Sequence, residues 1–185
     1  SLVNNTGDTI QSPRVIFTDI SSVDAFSNLE ELVDVSTLAG TGSWGATNGP
    51  ASTAEFQHPS ATAVDDEGVV YVATVGGDLL RKIDNGHVST LAGSGAAADI
   101  DGMGTAAAFE DLYGMCWCSS ADALFVVGLG DTVRRVTRDG RVTTVAGGSS
   151  GHSDGDGTTA QFKNPVGIAT DGSVLYVSEF GGRRI

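Results

Sequence analysis

The sequence has 185 residues, with 10 Lys+Arg against 23 Asp+Glu and a formal net charge of −13. That length sets one domain as the expectation, and that charge excludes the basic footprint of a general nucleic-acid binder and disfavours an anionic membrane surface as partner. Hydrophobic residues make up 40% of the chain, too many for a disordered acidic tail, and no run of about 18 apolar residues exists to span a membrane.

Residues 1–13 carry no clear element, and Asn4-Asn5-Thr6 is a lone glycosylation sequon of a kind common by chance. Residues 14–34 read as the divergent end of a repeat, with Val15-Ile16-Phe17-Thr18-Asp19 at a strand position. From residue 35 the chain repeats. Val35-Ser36-Thr37-Leu38-Ala39-Gly40 returns as Val88-Ser89-Thr90-Leu91-Ala92-Gly93 and as Val142-Thr143-Thr144-Val145-Ala146-Gly147, at spacings of about 53 and 54 residues. Asn48-Gly49, Asp101-Gly102 and Asp154-Gly155 follow, then Phe56, Phe109 and Phe162. Pro59, Leu112 and Pro165 come next, then Ala61, Gly114 and Gly167. A third string is Val70-Tyr71-Val72-Ala73, Leu124-Phe125-Val126-Val127 and Leu175-Tyr176-Val177-Ser178. A fourth is Leu80-Arg81-Lys82-Ile83 and Val133-Arg134-Arg135-Val136, with Ile185 at the start of its third copy.

Each repeat predicts four short strands. The first spans 60–65, 113–118 and 166–171, and the second spans 69–73, 124–128 and 174–178. The third spans 79–83 and 132–136. The fourth spans 87–92 and 141–146, with an earlier copy at 35–39. Val, Ile, Tyr and Phe favour strand, and Asn85-Gly86, Asp139-Gly140 and Asp171-Gly172 punctuate the runs as tight turns. Four antiparallel strands in series at this period describe all-β propeller blades.

The strings resemble the NHL repeat family. The likeness is densest at Asp154, Gly155, Gly157, Ala160, Phe162, Pro165, Gly167, Ile168, Ala169 and Asp171, and it covers residues 35–185. Leu112 and Cys118 depart from the pattern in the middle repeat, which predicts looser geometry there. The resulting organisation is a segment 1–34 holding part of a preceding blade, then repeats near 35–87, 88–141 and 142–185, the last truncated. The resemblance implies a six-bladed ring, of which three to four blades are present. The leading reading is therefore a piece of a longer propeller. The alternatives are a homodimer that completes one ring, or a short arc covered by another partner.

Several motif matches have plainer explanations. Gly40-Thr41-Gly42-Ser43-Trp44-Gly45 fits a dinucleotide fingerprint, but no helix follows to hold a pyrophosphate. Gly147-Gly148-Ser149-Ser150-Gly151 fits a nucleophile elbow with the same deficiency. Asp99, Asp101 and Glu110 partly match a calcium loop, with Met103 at a position that needs oxygen. His58, His87 and His152 lack ligand spacing, and the side chains of Cys116 and Cys118 point to one strand face, a poor geometry for bridging each other. The cysteines leave the cellular compartment open. No cofactor, metal or catalytic set is assigned.

Three long loops, about 40–59, 93–112 and 147–164, share one rim by repeat logic. Their tips supply the candidate partner-binding residues Trp44, Asp99, Asp101, His152 and Asp154. Arg81, Arg134, Arg135 and Arg184 are expected on outer strands, paired with local carboxylates or facing solvent. The family resemblance implies a non-enzymatic binding or scaffold module for protein or peptide partners, with no nucleic acid and no membrane insertion. The alternative is part of a metal-dependent propeller lyase or hydrolase whose channel site needs further blades.

Overall fold

A computed structural model describes residues 36–185. The expected strand at 15–19 lies outside the described residues. The described chain forms two five-stranded antiparallel sheets and one two-stranded sheet, consecutive along the sequence. The first contains β1 (Gly49–Pro50), β2 (Pro59–Val64), β3 (Val70–Thr74), β4 (Leu80–Asp84) and β5 (His87–Ala92), in the order β1-β5-β4-β3-β2. The second contains β6 (Gly102–Met103), β7 (Leu112–Cys118), β8 (Ala123–Gly128), β9 (Thr132–Thr137) and β10 (Arg141–Gly147), in the order β6-β10-β9-β8-β7. The third pairs β11 (Pro165–Thr170) with β12 (Leu175–Glu179).

Four of the strands in each full sheet stand within about a residue of their expected positions. The fifth is a correction. β1 and β6 come from the loop that precedes each sheet and close its outer edge, pairing Gly49 with Val88 and Gly102 with Val142. The expected strand at 35–39 is a second correction, because residues 36–39 carry no strand. The turns follow local chemistry. Asn85 and Gly86 both have positive φ, 48° and 73°, which is the backbone a two-residue hairpin needs to match strand twist.

Period-two alternation gives each sheet two apolar faces. Tyr71, Ala73 and Leu80 of the first sheet meet Leu124, Val126, Val136 and Val142 of the second, together with Phe109 and Met115. Phe125, Val127 and Val133 on the second sheet's other face meet Ile168, Leu175 and Val177 of the third. Complete burial of a side chain such as Phe109 contributes about 2–3 kcal/mol. The innermost strands approach closely: a Cβ on Gly114 would lie 2.7 Å from the Val166 carbonyl oxygen and 3.1 Å from the Gly167 Cα.

Polar bonds fasten the sheets at both ends. At one rim Asp78 accepts from the Asp111 amide at 2.9 Å, and the equivalent Asp131 accepts from the Asn164 amide at 2.7 Å. The Ser60 hydroxyl donates to the Leu112 carbonyl at 2.5 Å, and at the other rim Ser120 donates to the Gly172 carbonyl.

The middle repeat is not looser than its neighbours. β7 pairs with β8 at six positions, against five between β2 and β3. The departures there compensate one another. In the outer repeats an aspartate caps the first hairpin and accepts from a tyrosine hydroxyl: Tyr71 to Asp65 at 2.9 Å and Tyr176 to Asp171 at 3.1 Å. In the middle repeat Cys118 and Phe125 occupy those two places, so acceptor and donor are exchanged together for apolar contact.

Candidate functional site

The first long loop is built around its own backbone. Gly40 donates to the Ala51 carbonyl at 2.8 Å, and Thr41 donates to that of Ala54 at 3.0 Å. Thr47 donates its hydroxyl to Glu55 at 2.6 Å. These bonds present Trp44, 58% exposed, edge-on to the His58 ring at a centroid distance of 4.3 Å and an angle of 87°. The His58 carbonyl in turn accepts from the Val75 amide at 3.0 Å, which ties the aromatic pair to the β3–β4 hairpin.

In the second loop the candidate carboxylates hold a buried arginine. Arg134 is 1% exposed. Its guanidinium reaches Asp99 at 3.0 Å, Asp101 at 2.7 Å and the Ala108 carbonyl at 3.3 Å, over the Phe109 ring. Asp101 also accepts from the Thr144 amide and hydroxyl, each at 2.9 Å. Burial pushes the Asp101 carboxyl up, but Thr144 and Arg134 outweigh it and hold the group below its usual range. Arg134 is the buried member while the Asp101 side chain is half exposed, so removing Asp101 costs about 1–3 kcal/mol, mainly by leaving the guanidinium short of an acceptor. The first loop repeats the device in neutral form: Arg81 donates to Asn48 at 2.6 Å and to the Thr47 and Glu55 carbonyls, over Phe56. Of the expected alternatives, pairing with carboxylates or facing solvent, Arg134 takes the first through Asp99 and Asp101, whereas Arg81 takes neither and bonds Asn48 and main-chain carbonyls; both stand third of the five strands and are buried.

In the third loop Arg184 donates to the His152 carbonyl at 2.7 Å, pairs with Glu179 at 3.2 Å and stands 3.9 Å from Asp154. The candidate residues therefore gather as Asp99 with Asp101 on Arg134, and His152 with Asp154 on Arg184. Trp44 pairs with His58 on its own loop.

At the other ends of the strands lies a cluster that sequence reasoning missed. Arg138 binds Asp65 and Asp66, stands 3.5 Å from Glu67, donates to Asp122 at 2.7 Å and lies 4.5 Å over the Trp117 ring. Trp117 stacks on Tyr71 at 6.2 Å. The Asp122 bond, with the carboxylates of the neighbouring hairpin, holds the guanidinium above its ordinary pKa. Glu67, Tyr71, Lys82, Asp84 and Arg138 border a cavity of about 360 Å³ beside it. The available signal was a turn one residue longer than its counterpart: Arg138-Asp139-Gly140 against Asn85-Gly86. Burial pushes the Cys116 thiol up to about 11, so it is protonated at neutral pH, and Cys118 sits 3.2 Å from the Ser120 hydroxyl.

No family model matches the chain, and no curated protein matches it. Solved structures do. An auxiliary nutrient binding protein from Bacteroides thetaiotaomicron superposes with a TM-score of 0.59 at 23% identity, over 67% of this chain and 35% of that one. One from Bacteroides ovatus gives 0.59 and 23%, over 66% and 35%. A putative phosphatase from Bacteroides thetaiotaomicron gives 0.57 and 20%, over 66% and 32%. The match spans about a third of each of those proteins. At this identity the likeness concerns fold alone, and it agrees with the antiparallel sheets as consecutive propeller blades.

Proposed function

We propose that this chain is a non-enzymatic binding or scaffold module for protein or peptide partners, built on blades of the NHL type. The recurring strings support the family reading. The observation that carries the binding reading is Trp44, a large aromatic left 58% exposed on a loop whose neighbouring polar groups are bonded to one another. An aromatic held in place before binding loses little freedom on contact, and tryptophan is enriched among interface hot spots. Asp99 and Asp101 support it differently: engaged by Arg134, they hold the shape of the second loop.

The test is a peptide library displayed on phage and panned against the chain. Enriched peptides are expected to lose about tenfold or more in affinity on Trp44→Ala. Enriched peptides indifferent to that substitution would remove the rim from the reading.

A further inference from the structure

Among the described residues three arginines lie over aromatic rings. Arg81 stands 5.3 Å from the Phe56 ring centre, Arg134 5.6 Å from that of Phe109 and Arg138 4.5 Å from that of Trp117. Each guanidinium is also bonded to side-chain oxygens: Asn48 for Arg81, Asp99 and Asp101 for Arg134, Asp122 for Arg138. A ring face with acceptors close by is thus what this chain offers a guanidinium, and the ring quadrupole supplies the attraction. Trp44 has the ring and the acceptors, but among the described residues no cation lies over it.

Trp44 points outward as a property of its loop. Ala97 and Ser150 hold its place in the second and third loops, where they bridge Phe109 and Phe162. Both are exposed although a full sheet precedes each of them. The T-shaped contact with His58 takes at most one face of the indole, which leaves a face for a ligand. Carboxylates border the Trp44–His58 pair. Glu55 lies against Gly45, the residue after Trp44, where an added Cβ would overlap its carboxylate. His58 lies beside Gly76, and the Gly76 amide donates to Asp111 at 3.1 Å. The Asp111 amide in turn donates to Asp78. Burial and the Asp111 charge push the Asp78 carboxyl up, against the bond from the Asp111 amide. Among the described residues Glu55, Asp78 and Asp111 enter no ion pair.

We propose that Trp44 receives an arginine side chain of the partner peptide, with the guanidinium over the free indole face and paired to the Glu55 carboxylate. This rests on the binding reading above and narrows it to arginine-bearing partners. Arginine suits the place better than lysine, because its planar head stacks on a ring while its N–H fork reaches a carboxylate. Asp78 and Asp111 add attraction at longer range, and the net charge of −13 steers cationic partners in.

The test starts from panned peptides whose binding depends on Trp44. Each is resynthesised with citrulline, the uncharged isostere, in place of arginine, and affinities are read by fluorescence anisotropy. These peptides are expected to carry an arginine, and citrulline should weaken binding about tenfold or more. Glu55→Gln in the chain keeps an acceptor for the Thr47 hydroxyl, so its melting temperature should stay with the parent's. It should weaken the arginine peptide about tenfold and leave the citrulline peptide unchanged. Asp156→Asn, an equal change of charge at an exposed place on the third loop, should move neither. Trp44-dependent peptides without arginine, or indifference to citrulline, would overturn the proposal and leave the binding reading standing. Equal losses on Glu55→Gln and Asp156→Asn would mark general attraction to an acidic chain and likewise overturn it. If no panned peptide depended on Trp44, the binding reading would fail, and this proposal with it.

Discussion

Asp101 shows how one side chain can serve sequence, fold and stability at once. It takes two bonds from Thr144 and one from Arg134, and these hold its carboxyl below the usual range against the effect of burial. Asp65, where burial again opposes the hydrogen bonds of Val69 and Tyr71, is held down in the same way. A carboxyl depressed on folding stabilises above its unfolded value, near pH 4, and that contribution is lost as pH falls through the folded value. Asp78 has the opposite sign, because burial pushes it up and its charge works against folding as pH rises. We expect the urea midpoint to fall from about pH 4 downward and Asp101→Asn to flatten that limb. An equally steep limb in the variant would assign the acid sensitivity to other groups.

At the scale of elements, the exchange of Asp and Tyr for Cys118 and Phe125 makes a test of hairpin design. Cys118→Asp alone would bury a carboxylate beside Phe125, which has no hydroxyl to offer, and should cost about 1–3 kcal/mol. Adding Phe125→Tyr should recover part of that loss in a double-mutant cycle read by chemical unfolding. Strict additivity would show that the two positions do not act as a pair. The strands themselves were legible in the sequence, because Asp-Gly and Asn-Gly turns bracket runs of Val, Leu, Ile and Tyr. β1 and β6 were not, because Gly49-Pro50 and Gly102-Met103 have turn chemistry and become strands only through the edge of β5 or β10. The same limit applied to the site. The loop positions were visible from the repeat, but whether Asp101 faces solvent or an arginine depends on contacts across 33 positions of sequence. Arg138 was hidden further, since its partners come from the β2–β3 and β7–β8 hairpins.

For the whole molecule the governing quantity is a net charge of −13. Self-repulsion of that sign opposes folding and is screened by salt, whereas the buried Arg134 pairs are screened much less. The melting temperature followed by circular dichroism should therefore rise between low salt and about 0.15 M. A fall would mean that ion pairs such as those of Arg138 outweigh the general repulsion. Bonds between sheets then set how the molecule yields. Asp78, Asp131, Ser60 and Ser120 each reach across a seam to main chain of the following sheet. Peeling one sheet away must shear main-chain bonds at both rims as well as separate apolar faces. Under a pulling force the sheets behave as links stitched at two edges, so a cut in the 75–79 turn would slacken β7 along with β4.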